Sequence, residues 1–151
     1  MKRLFSMMAV LLAACASGVA PSKGPAATAH IEIVSLTPAP MSNLDVNPML
    51  VAVLKYDIEN YNERVDYSIA PLFASNRGSG TTFNAFDRIS NGQRLTGPSG
   101  TVTIRYSADR ELKYPELQRP VKLWFYLMER TSSDSSHVIG KTEAVTYTAG
   151  R

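Results

Sequence analysis

Four carboxylates fall between positions 57 and 66: Asp57, Glu59, Glu63 and Asp66. Hard oxygen ligands converging at a loop can hold Ca²⁺, so these four are the candidate metal ligands. Their spacing matches no EF-hand loop, and Lys55 and Arg64 stand close enough to neutralise them. The favoured reading is therefore a solvated strand face with exposed ion pairs of little energetic consequence, and no metal. Asp57 and Glu59 are two apart, which on a strand separates them by about 7 Å, a usable distance for a hydrolytic carboxylate pair. A flat strand face lacks the enclosure that shifts a pKa, so a hydrolase ranks last among the readings. Only His30 and His137 supply imidazoles, and His137 follows the polar run 132–136, expected to be a hairpin tip. A tip is a poor place to fix a general base.

Aromatic residues give the other surface signal. Tyr61, Tyr67, Tyr114, Trp124 and Tyr126 could build a platform for sugar or peptide. Trp124, the single Trp, is read first as a core residue, with the platform as the alternative. Gly-x-Ser-x-Gly, His-Glu-x-x-His, the Walker-type loop and Gly-x-Gly-x-x-Gly are all missing. Gly78, Ser79 and Gly80 read as a hairpin turn, because no helix follows whose N-terminus could hold phosphate. No catalytic residue and no cofactor are assigned.

The elements that must position these residues are strands. Residues 30–33 alternate polar and apolar and stop near Pro38 and Pro40. Residues 49–59 put Leu50, Ala52, Leu54, Tyr56 and Ile58 on one face. Further runs cover 65–75, 81–86, 101–106, 121–130 and 138–148, with a turn at Asn91-Gly92. Within the run 121–130, Val121 to Met128 is apolar in both phases, which suits a central strand. Seven short runs without a convincing amphipathic helix predict an all-β antiparallel sandwich over residues 30–151. Strand count and domain size resemble immunoglobulin-like or fibronectin type III-like domains, though the Cys-Trp-Cys spacing of antibody domains is absent.

Ahead of this domain, Lys2 and Arg3 precede an apolar stretch from Leu4 to Leu12, too short for a hydrocarbon layer that needs about 20 residues. A small-residue end follows, giving the order of a secretory signal. Leu12-Ala13-Ala14-Cys15 resembles the lipobox of bacterial lipoproteins. The resemblance implies cleavage of residues 1–14, acylation at Cys15, and anchoring by two or more chains at about 0.8 kcal/mol per buried methylene. Ala16, where an Asp would favour inner-membrane retention, implies the outer membrane; the periplasmic side is the expected one, and the residues do not specify the leaflet. Residues 15–29 carry no aromatic and read as a flexible tether.

The charge supports no polyanion partner. Of the 16 basic residues, Lys2 and Arg3 belong to the cleaved segment, and those left nearly balance the 13 acidic ones. Nucleic acid is not expected as a partner. One Cys rules out an intramolecular disulfide framework. The expectation is a non-catalytic module that the membrane holds through lipid and that binds an envelope protein. A glycan or small-ligand binder is the alternative, and the oligomeric state is left open.

Overall fold

The computed structural model describes residues 25–75, 82–84, 92–113, 117, 120–132 and 135–148. Cys15, Tyr114 and the Gly78-Ser79-Gly80 turn lie outside them, as do the signal segment and most of the tether. Among the described residues no helix is long and apolar enough to cross a membrane.

The strands are β1 (Thr28–Thr37), β2 (Met49–Glu59), β3 (Tyr67–Ser75), β4 (Thr82–Asn84), β5 (Gln93–Arg94), β6 (Ser99–Ser107), β7 (Val121–Ser132), β8 (Ser135–Lys141) and β9 (Val145–Tyr147), with one short helix, α1 (Asp109–Leu112). One sheet has the order β1-β2-β6. The other has the order β4-β3-β7-β8, with β5 also on β3 and β9 also on β7. Every strand pairing in both sheets is antiparallel. Burial alternates along β2, where each even-numbered residue from Leu50 to Ile58 is buried. These side chains meet Ile69, Phe73, Val121, Leu123, Phe125, Leu127 and Tyr147 of the opposing sheet in one continuous core. The protein is an all-β antiparallel sandwich.

Among the described residues nine strands fill seven columns, two of the columns being shared by two strands each. β4 pairs with Leu72–Ala74 and β5 with Ser68–Ile69 on the same side of β3. The gap between them has a local cause. Tyr67 C=O accepts from Leu95 N–H on that side, and alternate residues of an antiparallel strand turn their polar groups the same way. Pro71 therefore turns its missing N–H toward the β4/β5 column, and a ladder cannot run past it. The run expected at 138–148 is likewise two strands. Between β8 and β9 the side chain of Thr142 replaces a ladder partner: its Oγ1 accepts from Phe125 N–H at 3.1 Å while Thr142 N–H donates to Phe125 C=O at 3.0 Å. β1 opens at Thr28, so Thr28 and Ala29 belong to the sheet and not to the tether.

The two sides of the sandwich differ. On one side β8 approaches β1 so closely that a Cβ on Gly140 would lie 2.5 Å from the Ala29 carbonyl oxygen. β1 also carries a register shift between Ile33 and Ser35, and β8 pairs with β7 through two more. On the other side stand β6 and the broken β4/β5 column.

A candidate binding edge

β6 is the outer strand of the three-stranded sheet, and its nine residues pair with β2 in unbroken register from Ser99 to Ser107. Pro98 C=O accepts from Ile58 N–H at 2.7 Å and Ala108 N–H donates to Pro48 C=O at 2.9 Å, so even-numbered residues of β6 turn their backbone toward β2. By alternation Ser99, Thr101, Thr103, Arg105 and Ser107 turn N–H and C=O outward. Among the described residues no strand pairs with that side. Natural sheets guard such edges with charged side chains, Pro, bulges or brevity, and of these β6 carries only the single charge of Arg105.

A cleft of about 180 Å³ opens beside this edge between the two sheets, lined by Ile69, Pro71 and Gln93 on one side and Ile104 and Tyr106 on the other. Gly92 also lines it, with φ +74°, and a Cβ there would run into the Ile69 carbonyl, so this position needs its glycine. The Tyr106 ring packs on Phe73 with centroids 6.0 Å apart, and its hydroxyl donates to Glu111 Oε1 at 2.6 Å. Glu111, on α1, is only 4% exposed, and its Oε2 has no partner among the described residues. No pattern in the residues marks this buried carboxylate in advance. It stands where an amphipathic pattern is too short to read, and its partner lies on the preceding strand.

A second cleft of the same volume lies on the other side of Gly92, lined by Ser68, Arg94, Met128, Arg130 and Ser136. Arg94 there is held in an ion pair with Asp66.

The acidic quartet does not assemble. Asp66 binds Arg94, Glu59 accepts from Thr28 Oγ1 at 3.0 Å, and Asp57 lies exposed on β2 opposite His30 of β1. Among the described residues no group of three or more His, Cys, Asp or Glu side chains could hold a metal ion. The loop turns the chain sharply at Asn60, with φ +57°, so residues before and after it leave on different strands and different sheets. Asp57 and Glu59 line neither cleft. His137 sits in β8 opposite Glu129, inside a strand and not at a tip.

The aromatics separate as well. Tyr67 is buried in the core, where its hydroxyl accepts from Asn62 N–H at 3.3 Å and its ring tilts against half-buried Tyr61 at 5.1 Å. Burial raises the Tyr67 pKa, and that of Tyr56, above the usual phenol value. Trp124 reverses the core expectation. Val121, Leu123, Phe125 and Leu127 take the inward phase of β7, leaving Trp124 with Lys122 and Tyr126 on the outer face. Trp124 is half-buried there because its cross-strand partner Leu72 and its edge-to-face neighbour Tyr126, 6.2 Å away, are also large. Its Nε1 is shielded from solvent with no acceptor among the described residues.

In comparisons with known proteins, the chain matches no family model, no curated protein and no solved structure.

Proposed function

We propose that this protein is a lipid-anchored, non-catalytic binding module that holds a protein partner beside the bacterial outer membrane, facing the periplasm. The observation that carries the reading is the edge of β6: a long, regular strand whose outer side pairs with no strand among the described residues, and an adjoining cleft, suit a polypeptide partner. The sequence Leu12-Ala13-Ala14-Cys15 adds the anchor, and its resemblance to a lipobox supplies the location. Cys15→Ser tests the anchor. The variant is expected to stay unprocessed and to leave the membrane fraction, and normal maturation would refute the lipid attachment. Crosslinking in intact cells tests the module, with a discrete adduct to one envelope protein expected and no adduct counting against it.

A second reading rests on Trp124 and Tyr126, which share the outer face of the larger sheet. Such a pair suits a glycan or small ligand. Titration with oligosaccharides, followed by Trp124 fluorescence, decides it, and an unchanged spectrum removes its basis.

A further inference from the structure

Three of the four sheet edges are unavailable for orderly pairing. β1 and β8 carry register shifts and close against each other through Gly140 and Ala29, and the β4/β5 column offers only segments of three and two residues. β6 alone offers nine residues in unbroken register. On its inward row, Ile104 and Tyr106 border the cleft against Ile69 and Pro71, with Gln93 and Arg105 supplying its polar lining. On its outward row, Arg105 is exposed and opposes Val51 of β2, with no ion pair among the described residues.

We propose that β6 is a strand-addition site for an extended segment of a partner protein. The segment pairs antiparallel with β6, places an apolar side chain in the cleft between Ile104 and Pro71, and carries an acidic residue beside Arg105. This rests on the binding-module reading and names the partner's chemistry. The backbone groups of Thr101, Thr103 and Arg105 give affinity, while the cleft and the guanidinium give selectivity. A second copy of the chain fits less well. In the antiparallel self-pairing centred on Thr103, which uses all nine residues, Tyr106 would face Gly100 and Arg105 would face Thr101. The cleft would then stay unfilled and the cation unpaired.

The probe is a synthetic peptide of the length of β6, Thr-Val-Glu-Val-Thr-Val-Thr-Val-Thr, added to the full-length protein in detergent, with a Glu-to-Lys peptide as control. Amide exchange at Thr101, Thr103 and Arg105 is expected to slow on addition of the Glu peptide and to change little with the Lys peptide. Thr103→Pro removes an outward N–H that the fold does not use, so the domain stays folded while peptide affinity falls about tenfold. Arg105→Glu leaves the backbone intact and is expected to exchange the preference of the two peptides. Unslowed exchange at these amides, or equal response to both peptides, overturns the proposal. So does protection that grows with protein concentration alone, which would make a second copy the occupant. The in-cell adduct separates this proposal from the reading beneath it. Loss of the adduct in Thr103→Pro supports strand addition, whereas an intact adduct refutes strand addition and leaves the module standing.

Discussion

Tyr147→Phe is the most informative single change to stability. The Tyr147 ring is 1% exposed, and its hydroxyl donates to Pro38 C=O at 2.8 Å, joining β9 to the segment that follows β1 across 109 positions. Phe keeps the ring and its burial, so the hydrophobic contribution is nearly unchanged. What is lost is one neutral hydrogen bond, with the carbonyl left in a part-buried place, a cost of about 1–2 kcal/mol at neutral pH. Burial also raises the Tyr147 pKa well above 10.0. Above pH 10 the unfolded chain releases this proton while the folded chain keeps it, so the unfolded state binds fewer protons and stability falls as pH rises. Each pH unit past that point removes about 1.4 kcal/mol from the wild type, a loss the Phe variant does not share. Tyr56 and Tyr67 shift in the same direction in both proteins and cancel in the difference. Urea unfolding followed by Trp124 fluorescence should therefore show the variant less stable at pH 7 and the gap closing near pH 11. A gap that stayed constant across that range would mean the hydroxyl ionises equally well in both states, and burial as a barrier to its ionisation would be refuted; no gap at pH 7 would refute the bond to Pro38.

Four further substitutions test three separate features. Leu123→Ala, at a side chain with no exposed surface, is expected to cost about 3–5 kcal/mol in urea unfolding, whereas Val34→Ala, at 59% exposure, should stay within about 0.5 kcal/mol. Gly140→Ala would place a methyl 2.5 Å from the Ala29 carbonyl oxygen and force β8 from β1, lowering stability by about 1–3 kcal/mol in thermal unfolding. Tyr106→Phe strands the Glu111 carboxylate without its 2.6 Å donor, at a cost of about 1.5–3 kcal/mol, and a variant as stable as wild type would show that the bond does not form.

What the sequence made legible follows from which interactions are local. The bounds of β2 are readable at Met49 and Glu59 because one face meets the core and the other meets water, so burial writes period two into the residue types. That code fails on β3 and β7, the central strands of the larger sheet. Ala70, Leu72 and Ala74 are buried on the outer phase of β3 while Ile69 and Phe73 are buried on the inner one, and Trp124 sits among them on the outer side. With both phases apolar, alternation cannot say which face holds the core. Tyr67 is missed for a related reason: its type suits a platform, but its hydroxyl is satisfied inside by Asn62 N–H. The acidic quartet looks like a cluster only along the chain. Asp66 finds Arg94, 28 positions away, and sequence proximity carries no information about that partner.

The same reasoning explains why the sandwich is asymmetric. A seven-column sandwich has four edges, and each must be paired, covered or blunted to avoid unwanted strand pairing. On the closed side a glycine lets two backbones meet, and the register shifts twist both edges away from flatness. On the other side a proline breaks the β4/β5 column, so that edge is blunted without a cover. Pro71 itself borders the cleft beside Ile104, where the described pairing of the β4/β5 column stops. β6 is then left regular next to a cleft that this proline lines. Filling the break is a direct test of that link. Pro71→Val restores an N–H on the β4/β5 side, and the cleft should narrow as the column extends. If the Val variant bound the Glu peptide as the wild type does, the break at Pro71 and the selectivity of the β6 edge would be unrelated.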